Sequence, residues 1–369
     1  MNFIKNLFGK KDTSAQPALS YPDFWAWFKT HEQTFCEAVK DRSKIEAGFF
    51  DKLAPKLLEI KEGFFFLAGM VDDTRAELIL TPDGSIRNIV FVEELVAAAP
   101  PMSNWLITAL KPAVSIDDIS IRMEGYEFHK GNMHFHFTND PDHPDNIDIT
   151  IIHDDLNAGN RAAITNGCYI FLDNFLGELN FVSLVDVLRV ESKDSVKLGT
   201  ELVSMDKLKD YLSWREKEFV EKYEGTRRAT DEDRYSMLQA ELESGNMLLA
   251  VVNTNLLRWD AKASHPWLMT VTLEYNGENN GGMPDKNTLA ELEQVEENII
   301  AQLKDTDGYL NVGRQTAENS RELYFSCKEF RKPSKVLHQL IQSHSGNLKI
   351  TYEIYKDKYW RSLDRFLPQ

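Results

Sequence analysis

The sequence predicts an α+β protein of two domains, each built on a mostly antiparallel sheet with helices packed on one face. Apolar residues recur at helical spacing in some segments, and in others they form the short apolar runs that are typical of strands. Turn residues such as Pro82-Asp83-Gly84 separate these segments. Residues 266–360 predict the order β-α-β-β-α-β, which is that of a ferredoxin-like split βαβ sandwich. A chain of 369 residues has the length of about two domains.

Residues 1–20 are predicted to form a flexible N-terminus. Their first part combines apolar side chains on one helical face with nearby lysines, which is the pattern of a weak membrane-surface anchor. The residues concerned are Phe3, Ile4, Leu7 and Phe8, with Lys5, Lys10 and Lys11. We favour the alternative of an unstructured start followed by a linker, because chain termini commonly behave in this way.

The N-terminal domain is predicted over residues 21–200. A helix begins near Tyr21 with Asp23 as its N-cap, and a second helix over residues 45–60 contains Pro55, which bends or splits it. A later helix has Gly177 as its predicted C-cap. The other segments are helices over 89–99 and 160–176, and strands over 64–71, 76–81, 105–110, 119–123, 126–128, 133–137, 147–153 and 184–190. We expect these strands to form one mostly antiparallel sheet.

Residues 201–233 are predicted to be a charged helix followed by a linker, and residues 234–369 to be the C-terminal domain. That domain begins with a hairpin, because Gly245-Asn246 supplies the left-handed residues that a tight turn needs. We expect this hairpin to extend the sheet of the split βαβ unit. The strands are predicted over 235–242, 247–253, 267–275, 309–316, 322–327 and 348–355, and the helices over 288–303 and 333–343.

Five segments of the C-terminal third carry a family resemblance, namely Pro266-Trp267-Leu268, Leu292–Leu303, Val312-Gly313-Arg314, Arg321-Glu322-Leu323-Tyr324-Phe325 and Tyr355–Trp360. With these segments the C-terminal third resembles the bacterial family called domain of unknown function 695. Residues 21–200, with Asp173–Glu178, resemble N-terminal extensions of related uncharacterised bacterial proteins. Neither resemblance implies a known catalytic residue or cofactor, and we therefore assign none.

The composition argues against some classes of function. A formal net charge of -16 argues against nucleic-acid binding, which needs concentrated Lys and Arg. Three widely spaced cysteines form neither a disulfide framework nor a metal motif, so we expect a cytoplasmic location. No apolar run reaches the length of a transmembrane helix.

Histidines and acids near the middle of the chain form a candidate metal site. His134 and His136 are two residues apart in a predicted strand, so their side chains share a face. His153-Asp154 ends the predicted partner strand. Imidazole and carboxylate groups together bind zinc or another divalent ion.

The expected register weakens this metal hypothesis. If Phe137 pairs with Ile147, His134 lies opposite Thr150 and His153 falls beyond the end of its partner strand. We therefore favour the alternative that these are solvated strand histidines.

Two arginines form a candidate anion or partner site. Arg314 and Arg321 flank the predicted bend between two strands, and a pair of guanidinium groups can hold a carboxylate or phosphate. We include Tyr324 of the second strand as a third candidate. The alternative, which we favour, is that each arginine pairs with a local acid such as Glu318 or Glu322.

The sequence thus predicts a soluble cytoplasmic bacterial protein that acts as a non-catalytic binding or regulatory module. The acidic surface would suit a basic protein partner. The alternative function is a metal-dependent enzyme or hydrolase with its site near His134, His136 and His153.

Overall fold

The computed structural model describes residues 19–367 and confirms the α+β class. Its α-helices are α1 (Tyr21–Thr30), α2 (Glu32–Lys40), α3 (Asp51–Leu58), α4 (Ile86–Ala97), α5 (Arg161–Leu176), α6 (Glu178–Leu184), α7 (Leu208–Tyr223), α8 (Thr254–Leu257), α9 (Lys286–Gln302) and α10 (Arg331–Ser343). Its first nine strands are β1 (Phe65–Met70), β2 (Ala76–Thr81), β3 (Trp105–Ala109), β4 (Ile121–Met123), β5 (Tyr126–Phe128), β6 (Met133–Thr138), β7 (Asp148–His153), β8 (Val187–Ser192) and β9 (Val203–Ser204). The others are β10 (Tyr235–Glu241), β11 (Met247–Asn253), β12 (Trp267–Glu274), β13 (Tyr309–Ala317), β14 (Ser320–Cys327) and β15 (Lys349–Lys356).

The strands of the predicted N-terminal domain form separate sheets, so the prediction of one sheet over residues 21–200 was wrong. The orders are β1-β2-β3 and β8-β7-β6-β9, with β4 and β5 as an isolated pair. Most neighbours are antiparallel, but β2–β3 and β7–β8 are parallel. The physical reason is that the two larger sheets bury their apolar faces in different hydrophobic cores.

The C-terminal sheet has the strand order β10-β11-β13-β14-β12-β15, with antiparallel neighbours throughout. From β12 onward the elements follow the chain as β12-α9-β13-β14-α10-β15. The predicted hairpin is present as β10 and β11, and β11 pairs with β13 to extend the sheet. The ferredoxin-like comparison stays an interpretation of this order.

The two faces of the C-terminal sheet contact different parts of the chain. Trp267, Met269 and Val271 of β12 lie in a core with α9 and α10, whereas Leu268 faces the opposite side. Helices α1 to α4 and strands β1 to β3 join the first of these cores. Ion pairs from α10 to α4 reinforce the contact, since Arg331 binds Glu93 through two bonds of 2.7 Å. The domain boundaries themselves stay predictions.

Several local features differ from the sequence prediction. Ser20, not Asp23, caps α1, because the Asp23 N–H donates to Ser20 Oγ at 3.2 Å. A π-helical turn over Glu46–Phe50 precedes α3, which retains Pro55. Gly177 ends α5 with a φ of 80°, which confirms that prediction, but helix α6 directly after it was not expected.

No helix within residues 19–367 has the length and apolarity needed to cross a bilayer. The predicted surface anchor in residues 1–11 lies outside the described residues.

A buried carboxylate links the turn after β2 to helix α6. Glu178 is fully buried and accepts hydrogen bonds from Thr81 Oγ1 at 2.6 and 2.7 Å and from the Gly84 N–H at 2.7 Å. The Lys111 N–H adds a fourth contact at 3.2 Å. Glu178 is therefore held almost entirely by neutral donors, which satisfies the charge without a paired cation.

A second buried polar cluster joins the end of β15 and the residues after it to the loop before β8. Asp186 accepts from Lys356 Nζ at 2.8 Å and from Lys358 Nζ at 2.7 Å. Lys358 is 3% exposed and also donates to the Asp145 carbonyl oxygen at 2.7 Å. Burial, together with the neighbouring Lys356 charge, lowers the pKa of Lys358 to about 8.

Candidate functional site

The structure does not bring the candidate metal ligands together. His134 and His136 lie opposite Ile152 and Thr150, on one face of the β6–β7 pair, whereas His153 pairs with Met133 and points to the other face. His153 is fully buried, with its Nε2 atom 3.0 Å from the carbonyl oxygen of Glu127. Across residues 19–367, no three His, Cys, Asp or Glu side chains are grouped to hold a metal ion.

The expected strand register was wrong by two residues. Phe137 pairs with Ile149 rather than with Ile147. The Ile147 N–H donates instead to Asp186 Oδ2 at 2.7 Å, so β7 begins one residue later. Asp154, the fourth proposed ligand, forms an ion pair with Lys193 at 3.1 Å.

The two candidate arginines share one face of the C-terminal sheet, but Tyr324 does not. A bulge between Asn311 and Gly313 places Arg314 opposite Leu323, which faces the core under α9. Arg321 pairs with Thr316 on that same face, whereas Tyr324 belongs to the opposite one.

The partners of these arginines also differ from the expected ones. Arg314 Nη1 donates to Glu296 Oε2 of α9 at 2.7 Å, not to Glu318 or Glu322. Arg321 is 4% exposed, and its Nε donates to Thr316 Oγ1 at 3.0 Å. Both arginines therefore lie on the face beneath α9, where Arg314 pairs with an acid other than the two expected and Arg321 pairs with a threonine.

The face of the sheet that contains Tyr324 forms an open polar cavity, which we call the groove. Two cross-strand rows line its floor, Tyr324–Thr270–Glu353 and Glu322–Thr272–Thr351, contributed by β14, β12 and β15. The cavity volume is about 390 Å³. Side chains directly opposite each other on antiparallel strands lie within contact distance, so each row acts as a continuous set of polar groups.

The C-terminal segment forms the wall of the groove. A 3₁₀ helix over Arg361–Phe366 places Leu363 and Arg365 beside the floor. Arg365 Nη2 donates to the Tyr324 hydroxyl oxygen at 2.9 Å, and that hydroxyl donates to Glu322. Burial and then the neighbouring Glu322 raise the pKa of Tyr324, so the phenol stays neutral at physiological pH.

Part of the groove has no partner in the protein. Within residues 19–367, no hydrogen bond or ion pair occupies the side chains of Thr270, Thr272, Thr351 and Glu353. The charged groups of the groove are Glu322, Glu353 and Arg365, so carboxylates outnumber guanidinium groups two to one. The groove thus offers free acceptors and excess negative charge.

Sequence reasoning identified only Tyr324 of this groove. The missed signal was the alternation of polar residues in two strands, with Thr270 and Thr272 between the apolar residues of β12, and Thr351 and Glu353 in β15. Polar residues at every second position mark a strand face that is turned away from the core.

A serine–histidine contact elsewhere resembles the start of a hydrolase site but is buried. Ser264 Oγ lies 2.8 Å from His265 Nδ1, the kind of contact that activates a serine nucleophile. However, His265 is fully buried, and burial followed by the Lys328 charge lowers its pKa to about 3. Ser264 Oγ also donates to the Ala261 carbonyl oxygen at 2.6 Å. We interpret this pair as part of the packing.

His265 makes stability depend on pH. Its pKa is depressed in the folded state, so protons bind to the unfolded chain first as the pH falls below about 6.5, and folding stability is lost. Because of this residue, we expect the free energy of unfolding to fall by about 3 kcal/mol when the pH is lowered from 7 to 4. Denaturant unfolding at several pH values measures the slope, and an equal slope in His265→Phe would contradict the assignment.

The groove lies inside the part of the chain that matches a known family. Residues 242–367 match the model of the Family of unknown function (DUF695). This confirms the resemblance expected for the C-terminal third. The DUF695 match includes β11 to β15, both helices α9 and α10, and the 3₁₀ helix that forms the groove wall. No curated protein matches the chain.

Proposed function

We propose that the protein is a non-catalytic binding module and that the groove of the C-terminal sheet is its ligand site. The observation that supports this most directly is the convergence of four unpartnered polar side chains, Thr270, Thr272, Thr351 and Glu353, in one cavity. Thr351 and Glu353 are exposed and Thr270 and Thr272 are half-buried, so a ligand would replace the water that hydrates them and would need donors to match these acceptors.

The chemistry of the groove favours a small cationic ligand rich in hydrogen-bond donors. Its net negative charge would repel a phosphate or carboxylate, and a volume of about 390 Å³ lies at the lower end of the range of ligand pockets. Arg365 already illustrates the preference, since its guanidinium lies 5.4 Å from the ring centre of Tyr324 and 4.0 Å from Glu322. A ligand cation would bind beside Glu353 in the same way.

Binding rather than catalysis fits the groups present. Among residues 19–367, none of the groove threonines donates to a base that would activate its hydroxyl. We retain the cytoplasmic location as part of the proposal, because the free cysteines Cys36, Cys168 and Cys327 are all buried as thiols. The metal-dependent alternative has no specific observation in its favour within the described chain.

Isothermal titration calorimetry with agmatine and spermidine tests the site, with citrate as the anionic control. We expect saturable binding of at least one amine, and a loss of about tenfold to a hundredfold in affinity for Glu353→Gln, since a charged hydrogen bond contributes about 1.5–3 kcal/mol. Glu218→Gln on the exposed surface of α7 is the matched control. Absence of amine binding, or equal affinities for the two variants, would refute the proposal.

A further inference from the structure

Within residues 19–367, strand β10 is an edge of the C-terminal sheet, with no strand paired on its outer side. Its Tyr235 and Met237 side chains are 50% and 74% exposed, and Gln239 and Glu241 are exposed as well. Two hydrogen bonds to the β11 side flank β10, one donated by the Leu242 N–H and one accepted by the Arg234 carbonyl oxygen. The even-numbered residues of β10 therefore direct their backbone N–H and C=O groups toward β11. In an antiparallel pair the alternate residues direct their backbone groups outward. The backbone N–H and C=O groups of the odd-numbered residues therefore face solvent along the edge, namely those of Tyr235, Met237, Gln239 and Glu241.

Apolar side chains on and beside this edge form an exposed surface, which we call the shelf. It consists of Tyr235, Met237, Leu249 and Val251. Met237 lies opposite Val251, and Val251 lies opposite Arg314, so these side chains share the face that holds α9. Tyr235 and Leu249 lie on that face at the neighbouring positions. Leu249 is 36% exposed, although it occupies the second strand from the edge. An apolar surface beside an unpaired strand edge is a site for another chain.

Helix α9 adds acidic groups beside the shelf. One flank of α9 faces α10, because Glu291 lies 3.1 Å from His344 at the end of α10. Glu296 reaches Arg314 of β13, which places the opposite flank toward β11 and β10. Glu293, Glu297 and Ile300 lie on that opposite flank at helical spacing, and Ile300 is 41% exposed. The shelf is thus bordered by carboxylates and one further apolar side chain.

We propose that β10 binds an extended segment of a partner protein as an added strand, and that every second residue of this segment, facing α9, is in turn apolar and basic. The outward backbone groups supply the pairing, the shelf contacts the apolar side chains, and Glu293 and Glu297 attract the basic ones. This second surface lies on the opposite face of the sheet from the groove.

Charge argues against a second copy of the chain as the occupant. Antiparallel pairing of β10 with itself about Leu238 would place Asp233 of each copy opposite Glu243 of the other. Two chains with a formal net charge of -16 would also repel each other. A basic partner removes both penalties.

The test uses a fluorescein-labelled heptapeptide, Val-Thr-Lys-Thr-Val-Thr-Lys, whose valines and lysines lie at every second position and therefore share one face of the added strand. Binding to the full chain is followed by fluorescence anisotropy. One control peptide replaces every lysine by glutamate, and another replaces every valine by proline, which keeps the charge but removes N–H donors. We expect saturable binding of the lysine–valine peptide alone. Hydrogen exchange should slow at the outward amides of β10 and not at the groove strands.

Variants localise the binding. Met237→Lys and Glu297→Lys are each expected to weaken the peptide at least about tenfold, through like-charge repulsion on the shelf. Val220→Lys, at a residue of α7 that is 56% exposed, is the matched control and should bind normally. Glu353→Gln should also bind the peptide normally, so failure of the groove proposal is distinguishable.

Three outcomes would overturn the proposal. These are equal binding of the proline peptide, wild-type affinity in both shelf variants, and a wild-type dimer that Met237→Lys converts to a monomer. The last outcome, read by light scattering, would assign β10 to a second copy of the chain.

Discussion

Replacing Glu178 by alanine is expected to lower the free energy of unfolding by about 4 kcal/mol, since one buried hydroxyl and two partly buried N–H groups lose their acceptor at once. Those donors are the Thr81 hydroxyl and the N–H groups of Gly84 and Lys111. Each buried donor left unsatisfied costs about 1–3 kcal/mol. Guanidinium unfolding followed by circular dichroism measures the change.

Two further variants sharpen the Glu178 experiment. Glu178→Gln keeps the shape and one acceptor oxygen but presents an NH₂ group to other donors, so we expect an intermediate loss. Glu218→Ala, on the exposed surface, should change stability by less than about 0.5 kcal/mol. A loss below about 1 kcal/mol for Glu178→Ala would show that water enters and replaces the carboxylate.

Replacing Asp186 by asparagine is expected to cost about 4 kcal/mol, because it leaves two buried lysines without a counter-charge. Lys356 Nζ and Lys358 Nζ both bind this carboxylate, and the side chain of Lys358 is almost completely buried. Breaking one side of a buried ion pair costs more than replacing the whole pair. Adding Lys358→Met to Asp186→Asn is therefore expected to recover part of the loss, which a double-mutant cycle quantifies.

The loss in Asp186→Asn also depends on pH. The folded-state pKa of Lys358 is about 8, below the value of about 10.4 for a free lysine, so its charged form is less favourable in the folded protein than in the unfolded chain. Stability therefore rises as pH increases through 8, and the penalty of the variant should be largest below pH 8. A penalty that does not change between pH 7 and pH 9.5 would contradict this origin.

Most elements after residue 234 were predictable because local patterns agree with the fold. The residues of α10 and the alternating residues of β12 bury one face each. Gly245 closes the β10–β11 hairpin with a φ of 81°, whereas Asn246, also expected to be left-handed, is not. The fold class and the order of helices and strands follow from these patterns alone.

Features that depend on distant contacts were not predictable. The core shared by α4 and α10 joins residues that are more than two hundred positions apart, and Glu296 reaches Arg314 from a separate helix. The β6–β7 register depends on Asp186, which binds the Ile147 N–H from outside the hairpin. Periodicity contains no information on such pairings.

The candidate site was only partly predictable for the same reason. The alternation in β12 and β15 indicates a polar strand face, but the groove exists because Arg361–Phe366 returns to that face and adds Arg365. Tyr324 was selected together with Arg314 and Arg321, although they point to opposite sides of the sheet.

The bulge at residues 311–313 leaves the groove with a net negative charge. It shifts the register of β13 by one residue, so the residues after it face the opposite side of the sheet. Gly313 permits it, with a φ of 151° and no room for a side chain, since an added Cβ would lie 2.5 Å from the Val251 carbonyl oxygen. In a regular strand Arg314 would lie opposite Glu322, where its charge would balance the two carboxylates. One additional residue in β13 thus places the cation and the anions on two separate surfaces, and leaves carboxylates in excess on one side of the sheet.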